Sequence, residues 1–121
     1  MANIPVQSLP ANGQGFGGIT FTAASAGGDS YTATGNEIVV VKGQTGWTSE
    51  TVQVEGVPGA DAARDGTATL DPGSLASVDG GGLDMAGPFK PRNWNNGSTV
   101  ELTYPGGETG LGIAIVRFTA G

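Results

Sequence analysis

The chain has 121 residues, which fits one domain able to bury about two-thirds of its surface. It holds 23 glycines without a triplet repeat, which excludes collagen, and only five basic residues at a formal net charge of -6, which argues against binding to nucleic-acid phosphates. There is no His and no Cys, so imidazole bases, thiol nucleophiles, disulfides and thiolate metal sites are excluded.

Only 13% of the residues are charged and 37% are hydrophobic, leaving a surface of Ser, Thr, Asn and Gly that suits a protein packed against other protein. No run approaches the length of a membrane span. The start, Met1-Ala2-Asn3-Ile4-Pro5, lacks the charged step and apolar run of a secretory signal. These features predict synthesis in the cytoplasm, with no membrane and no nucleic acid among the partners.

Residues 1–18 read as an extended arm. Pro5 and Pro10 disfavour helix, and Gly13, Gly15, Gly17 and Gly18 loosen the backbone. Yet Ile4, Val6, Leu9 and Phe16 are apolar, and solvated tails seldom need such side chains. The segment either folds back on its own domain or docks on a neighbouring subunit. Its Gly13-x-Gly15-x-x-Gly18 spacing has the letters of a dinucleotide fingerprint, but a Pro-rich segment precedes it and a strand follows, so the motif is rejected.

Residues 19–121 carry strand signals separated by turn signals. Residues 19–23 alternate, with Ile19, Phe21 and Ala23 on one face. Residues 37–42 enclose Ile38-Val39-Val40-Val41, a β-branched run expected in a central strand covered on both sides. Residues 51–55 alternate again, and 67–70 are a weaker strand signal. In 98–104, Val100, Leu102 and Tyr104 face inward. Residues 111–118 are apolar on both faces and are expected to be central. Asn96-Gly97, Asp71-Pro72-Gly73, Pro105-Gly106-Gly107 and similar steps supply the turns. Residues 56–84 are the least determined, and a loop of that length is expected to contain one or two short strands. The pattern predicts an all-β fold: a single antiparallel β-sandwich or jelly-roll domain with an extended N-terminal arm.

Catalytic equipment is not apparent, and the chain is read as no enzyme. No Ser lies in a G-x-S-x-G elbow, and most of the eleven acidic residues fall at turns or solvent-facing strand positions. Asp61, Asp65 and Asp71 share a Gly-containing loop but match no standard calcium spacing, so no metal, cofactor or catalytic residue is expected. Trp47 and Trp94 sit beside turns. Exposed, they would stack on sugars or anchor an interface; buried, they are core plugs, with burial favoured for Trp94. Lys90-Pro91-Arg92 is a small basic loop that reads as a solvated turn or as a contact for an acidic partner.

Several pieces occur in a telling order: Ile38-Val39-Val40-Val41-Lys42-Gly43, Gly80-Gly81-Gly82, Met85-Ala86-Gly87-Pro88-Phe89, Trp94-Asn95, Val100-Glu101-Leu102-Thr103-Tyr104 and Ile113-Ala114-Ile115-Val116-Arg117-Phe118. Together with Ala26-Gly27-Gly28-Asp29, this order resembles the decoration (cement, or minor capsid) proteins of tailed-bacteriophage heads over residues 19–118. Residues 56–79 are longer than that pattern expects. The resemblance implies a virion structural protein on the outer capsid surface, with the major capsid protein as partner and no catalytic residues. Bridging several capsid subunits by many modest contacts favours a homo-oligomer, a trimer first. The expected contact residues are Ile4, Pro5, Val6, Leu9, Phe16, Trp47, Lys90 and Arg92. Deletion of residues 1–18 is expected to weaken shell binding and leave the fold intact. The alternative is a carbohydrate-binding β-sandwich on a virion fibre, spike or tail, using Trp47 or Trp94.

Overall fold

The computed structural model describes residues 2–10, 19–55, 67–72, 82–89, 95–96 and 99–119. Its elements are all strands: β1 (Ala2–Asn3), β2 (Val6–Pro10), β3 (Thr22–Ala23), β4 (Asp29–Thr32), β5 (Glu37–Gly43), β6 (Val52–Glu55), β7 (Thr67–Leu70), β8 (Leu83–Ala86), β9 (Asn95–Asn96), β10 (Thr99–Thr103) and β11 (Leu111–Thr119). They form two sheets packed face to face as a sandwich. One has six strands in the order β1-β4-β10-β6-β7, with β9 also on β10. The other has five in the order β2-β11-β5-β8, with β3 also on β11.

The expected antiparallel plan holds for every described pairing except two, and both exceptions belong to the N-terminal segment. β1 runs parallel to β4 and β2 parallel to β11, so both sheets are mixed. Of the two readings of residues 1–18, the fold-back on the domain describes residues 2–10, which are outer strands of both sheets. Their prolines are no obstacle: at a sheet edge one side of the strand needs no ladder donor.

Between the sheets lies one core. From the six-stranded sheet come Tyr31, Val52, Val54, Leu70, Val100 and Leu102; from the other come Val39, Val41, Leu111, Ile113 and Ile115. The alternation in β6 and β10 places every second residue there, as the period of two requires. β5 and β11 are central and buried on both faces, in line with their apolar runs. β4 carries only one apolar side chain in four residues; its inward positions are Asp29 and Tyr31.

Both open flanks of the sandwich are bridged by the chain. On one flank the backbone crosses from β1 in one sheet to β2 in the other, with Ile4 inserted between them. On the opposite flank β7 and β8 are the outermost strands, and the Asp71 N–H donates to Asp84 Oδ2 at 3.1 Å.

Candidate interaction surfaces

The outer faces of the two sheets differ in chemistry. Outward positions of the six-stranded sheet are polar: Ser30, Thr32, Gln53, Glu55, Thr69, Glu101 and Thr103. Thr103 Oγ1 donates to Glu55 across this face at 2.7 Å. The outer face of the five-stranded sheet is apolar. Val40, Ala114 and Val116 are buried there, packed by Ile19 and Phe21 and by Ile38 and Leu83 of the sheet itself. Met85, opposite Val40 in the ladder, stands 39% exposed beside them.

Residues 19–21 lie over that face as a strap. Sequence reading extends a strand through 19–23, but only Thr22–Ala23 pairs with β11. Before it, Gln7 holds the strap: its Nε2 donates to Thr20 O at 2.6 Å, and the Thr20 N–H donates to Gln7 Oε1 at 2.8 Å. Two amide bonds to one backbone residue reproduce a piece of ladder, leaving Ile19 and Phe21 to cover the sheet. The Lys42 ammonium sits 5.7 Å from the Phe21 ring centre, within cation–π range.

Residues 24–28, 44–51 and 104–110 meet at one end of the sandwich. Gln44 N–H donates to Gly110 O at 2.7 Å, and Ala24 N–H to Leu111 O at 2.9 Å. Gly110 has φ +74, and a Cβ there would lie 2.2 Å from Trp47 N, so only glycine lets the two loops touch. Glu50 ties the Trp47 turn from within. Its carboxylate accepts the Thr48 and Ser49 N–H groups at 2.9 and 3.1 Å, and these bonds hold its carboxyl below the ordinary value. The Trp47 indole N–H donates to Glu50 O at 2.9 Å.

Beside that turn is an open depression of about 400 Å³, lined by Gly27, Gly28, Thr103, Tyr104, Pro105 and Glu108. Under its rim, Asp29 is fully buried. Its Oδ2 accepts the Ser25 N–H at 2.9 Å and the Tyr104 hydroxyl. Burial, then the bond to Asp29 and its charge, push the Tyr104 hydroxyl well above the ordinary tyrosine range. Among the described residues, Asp29 Oδ1 and Tyr31 OH have no hydrogen-bond partner.

A second buried carboxylate stands at the other end of the sandwich. Glu37 accepts from Thr34 N–H at 2.8 Å, Gly35 N–H at 3.2 Å and Thr34 Oγ1. Burial pushes its carboxyl up, but these donors outweigh burial and hold it below the ordinary value. Arg117 reaches it at 3.5 Å from a partly exposed position.

Of the expected contact residues, Ile4, Pro5, Val6, Leu9 and Trp47 lie among the described residues. Ile4 is 2% exposed, in the core, with its N–H on Ser30 O at 2.7 Å. Pro5 is exposed at the crossing between the sheets, and Val6 is half-buried against the core. Leu9 is opposite Phe118 in the β2–β11 ladder. Trp47 is half-buried against the core with its indole N–H engaged. Phe16, Lys90 and Arg92 lie outside the described residues, as do Trp94, Asp61 and Asp65. Among the described residues no three metal-capable side chains cluster. Sequence reading passed over Leu83 and Met85 as surface residues. Their alternation, Leu83-x-Met85, was the available signal, set in a Gly- and Asp-rich stretch with no other strand cue.

No protein-family model matches the chain, and no curated protein or solved structure matches it.

Proposed function

We propose that this chain is a decoration protein of a tailed-phage head, seated on the outside of the assembled shell through the outer face of its five-stranded sheet. The observation that carries the docking surface is Met85, a large apolar side chain 39% exposed on that face beside half-buried Ile38 and Leu83, which border the buried layer of Val40, Ala114 and Val116. That layer lies outside the core shared by the two sheets, so the sandwich does not need it to close. The phage assignment rests on the ordered pieces that resemble head decoration proteins. Those within the described residues fall on β5, β8, β10 and β11, with Ala26-Gly27-Gly28-Asp29 leading into β4 and Asn95 on β9.

In this reading the partner is the major capsid protein, and the copies form a closed homo-oligomer, a trimer first. Each copy contributes modest contacts that add through multivalency. The carbohydrate reading through Trp47 has less support, because that ring packs on the core and its N–H is taken.

The test is co-sedimentation. Purified protein is mixed with expanded, undecorated heads, pelleted, and quantified against capsid subunits. Saturable binding at a simple ratio is expected. A folded protein that stays in the supernatant at every concentration would overturn the assignment.

A further inference from the structure

The N-terminal segment is bound to the sandwich as a separate strand would be. Residues 2–10 form no ladder among themselves. Their backbone pairs run to β4 and to β11, in parallel, whereas every other described pair is antiparallel. Ile4 fills the seam between the sheets, and Gln7 clasps Thr20 by both ends of its amide. Ser30 Oγ donates to Ala2 O at 3.4 Å, which adds a polar contact at the tip.

None of these contacts depends on which copy supplies the segment. Backbone ladders recognise strand direction and register, and an apolar socket recognises a β-branched side chain; both are identical in a second molecule. The covalent tie to the rest of the chain is residues 11–18, four of which are glycines in the sequence. Eight residues extended reach up to about 26–29 Å. With the segment removed, β4 and β11 would each show an unpaired edge, and such edges capture strands.

We propose that residues 2–10 are exchanged between copies of this chain, each copy closing the seam of its neighbour with its own Ala2–Asn3 and Val6–Pro10. The interaction surface is the seam formed by the free side of β4, the free side of β11 and the Ile4 socket. The partner is a second copy. Exchange requires no capsid and is tested on the isolated chain.

The absence of cysteine makes the test direct. Asn3 and Ser30 are ladder partners on the solvent side of β1 and β4, so Asn3→Cys and Ser30→Cys place two thiols in bonding range wherever that pairing forms. One variant carries Asn3→Cys alone. The other carries Ser30→Cys and a size tag. They are refolded together at high concentration, oxidised and run without reductant. The expected result is a mixed disulfide between the tagged and untagged chains, at least fivefold above the signal from copies folded separately and mixed afterwards. The double variant in one chain should give covalent oligomers. A double variant that yields only an internal disulfide and runs as a single chain overturns the proposal. Sedimentation velocity on the unaltered chain gives an independent reading. Concentration-dependent association is expected, and a monomer across the micromolar to submillimolar range overturns it.

Discussion

At the residue scale, two buried side chains separate folding from binding. Ile4 belongs to the buried core between the sheets, and its loss leaves a cavity in the seam. Ile4→Ala should cost about 2–5 kcal/mol in denaturant unfolding. A surface docking residue would cost almost nothing there and everything in a binding assay. The deletion of residues 1–18 therefore does not isolate docking, because it takes a core side chain and one strand from each sheet. Asp29 is the second case. It is buried with one oxygen serving Ser25 N–H and Tyr104 OH. Tyr104→Phe keeps the ring and removes a donor from a buried carboxylate. A loss of about 1–3 kcal/mol is expected, read by chemical denaturation at neutral pH.

At the element scale, the turn before β5 gives the fold a pH dependence. Glu37 is held below its ordinary value of 4.5 by Thr34 and Gly35. As pH falls past the ordinary value, the unfolded chain takes up a proton before the folded one does. Its stabilising contribution is therefore full above that value and is lost as pH drops through the folded one. Glu37→Gln should be less stable than the parent at neutral pH and show a flatter decline on acidification, seen in melting curves from pH 7 to pH 3. The elements with strong β-branched or alternating runs, β5, β6, β10 and β11, were legible in the sequence within a residue or two at their ends. β4 was not, because Asp29 and Tyr31 occupy its inward positions and a polar residue at a buried site breaks the apolar pattern. β1 and β2 were not, because Pro5 and Pro10 read as breakers, and whether a strand lies at an edge is decided by partners far along the chain. The apolar outer face was half legible: the doubly apolar β5 and β11 announced a cover on each side, but the sequence does not say that residues 19–21 provide part of it.

At the scale of the molecule, the two outer faces make opposite forecasts. Met85 is the exposed edge of the apolar face, while Thr32 is exposed on the polar one. Met85→Asp should leave unfolding within about 0.5 kcal/mol of the parent, as surface changes do. In co-sedimentation with heads it should weaken binding at least about fivefold, the loss that follows from about 1 kcal/mol at an interface. Thr32→Asp adds the same charge to the other face and should bind as the parent does. Equal binding by both variants would remove the five-stranded face as the docking surface.

The pairing of β2 with β11 also sets an order of events in the cell. A strand at residues 6–10 must wait for one at residues 115–119, so the seam cannot close until β11 has left the ribosome. Until then Ile4 and the edge of β4 have no complete socket, and β2 has no partner strand. Such long-range closure slows folding relative to local hairpins. On a polysome, where several chains at different stages of synthesis lie close together, the exchange proposed above lets β2 meet a finished neighbour's β11 before its own is made.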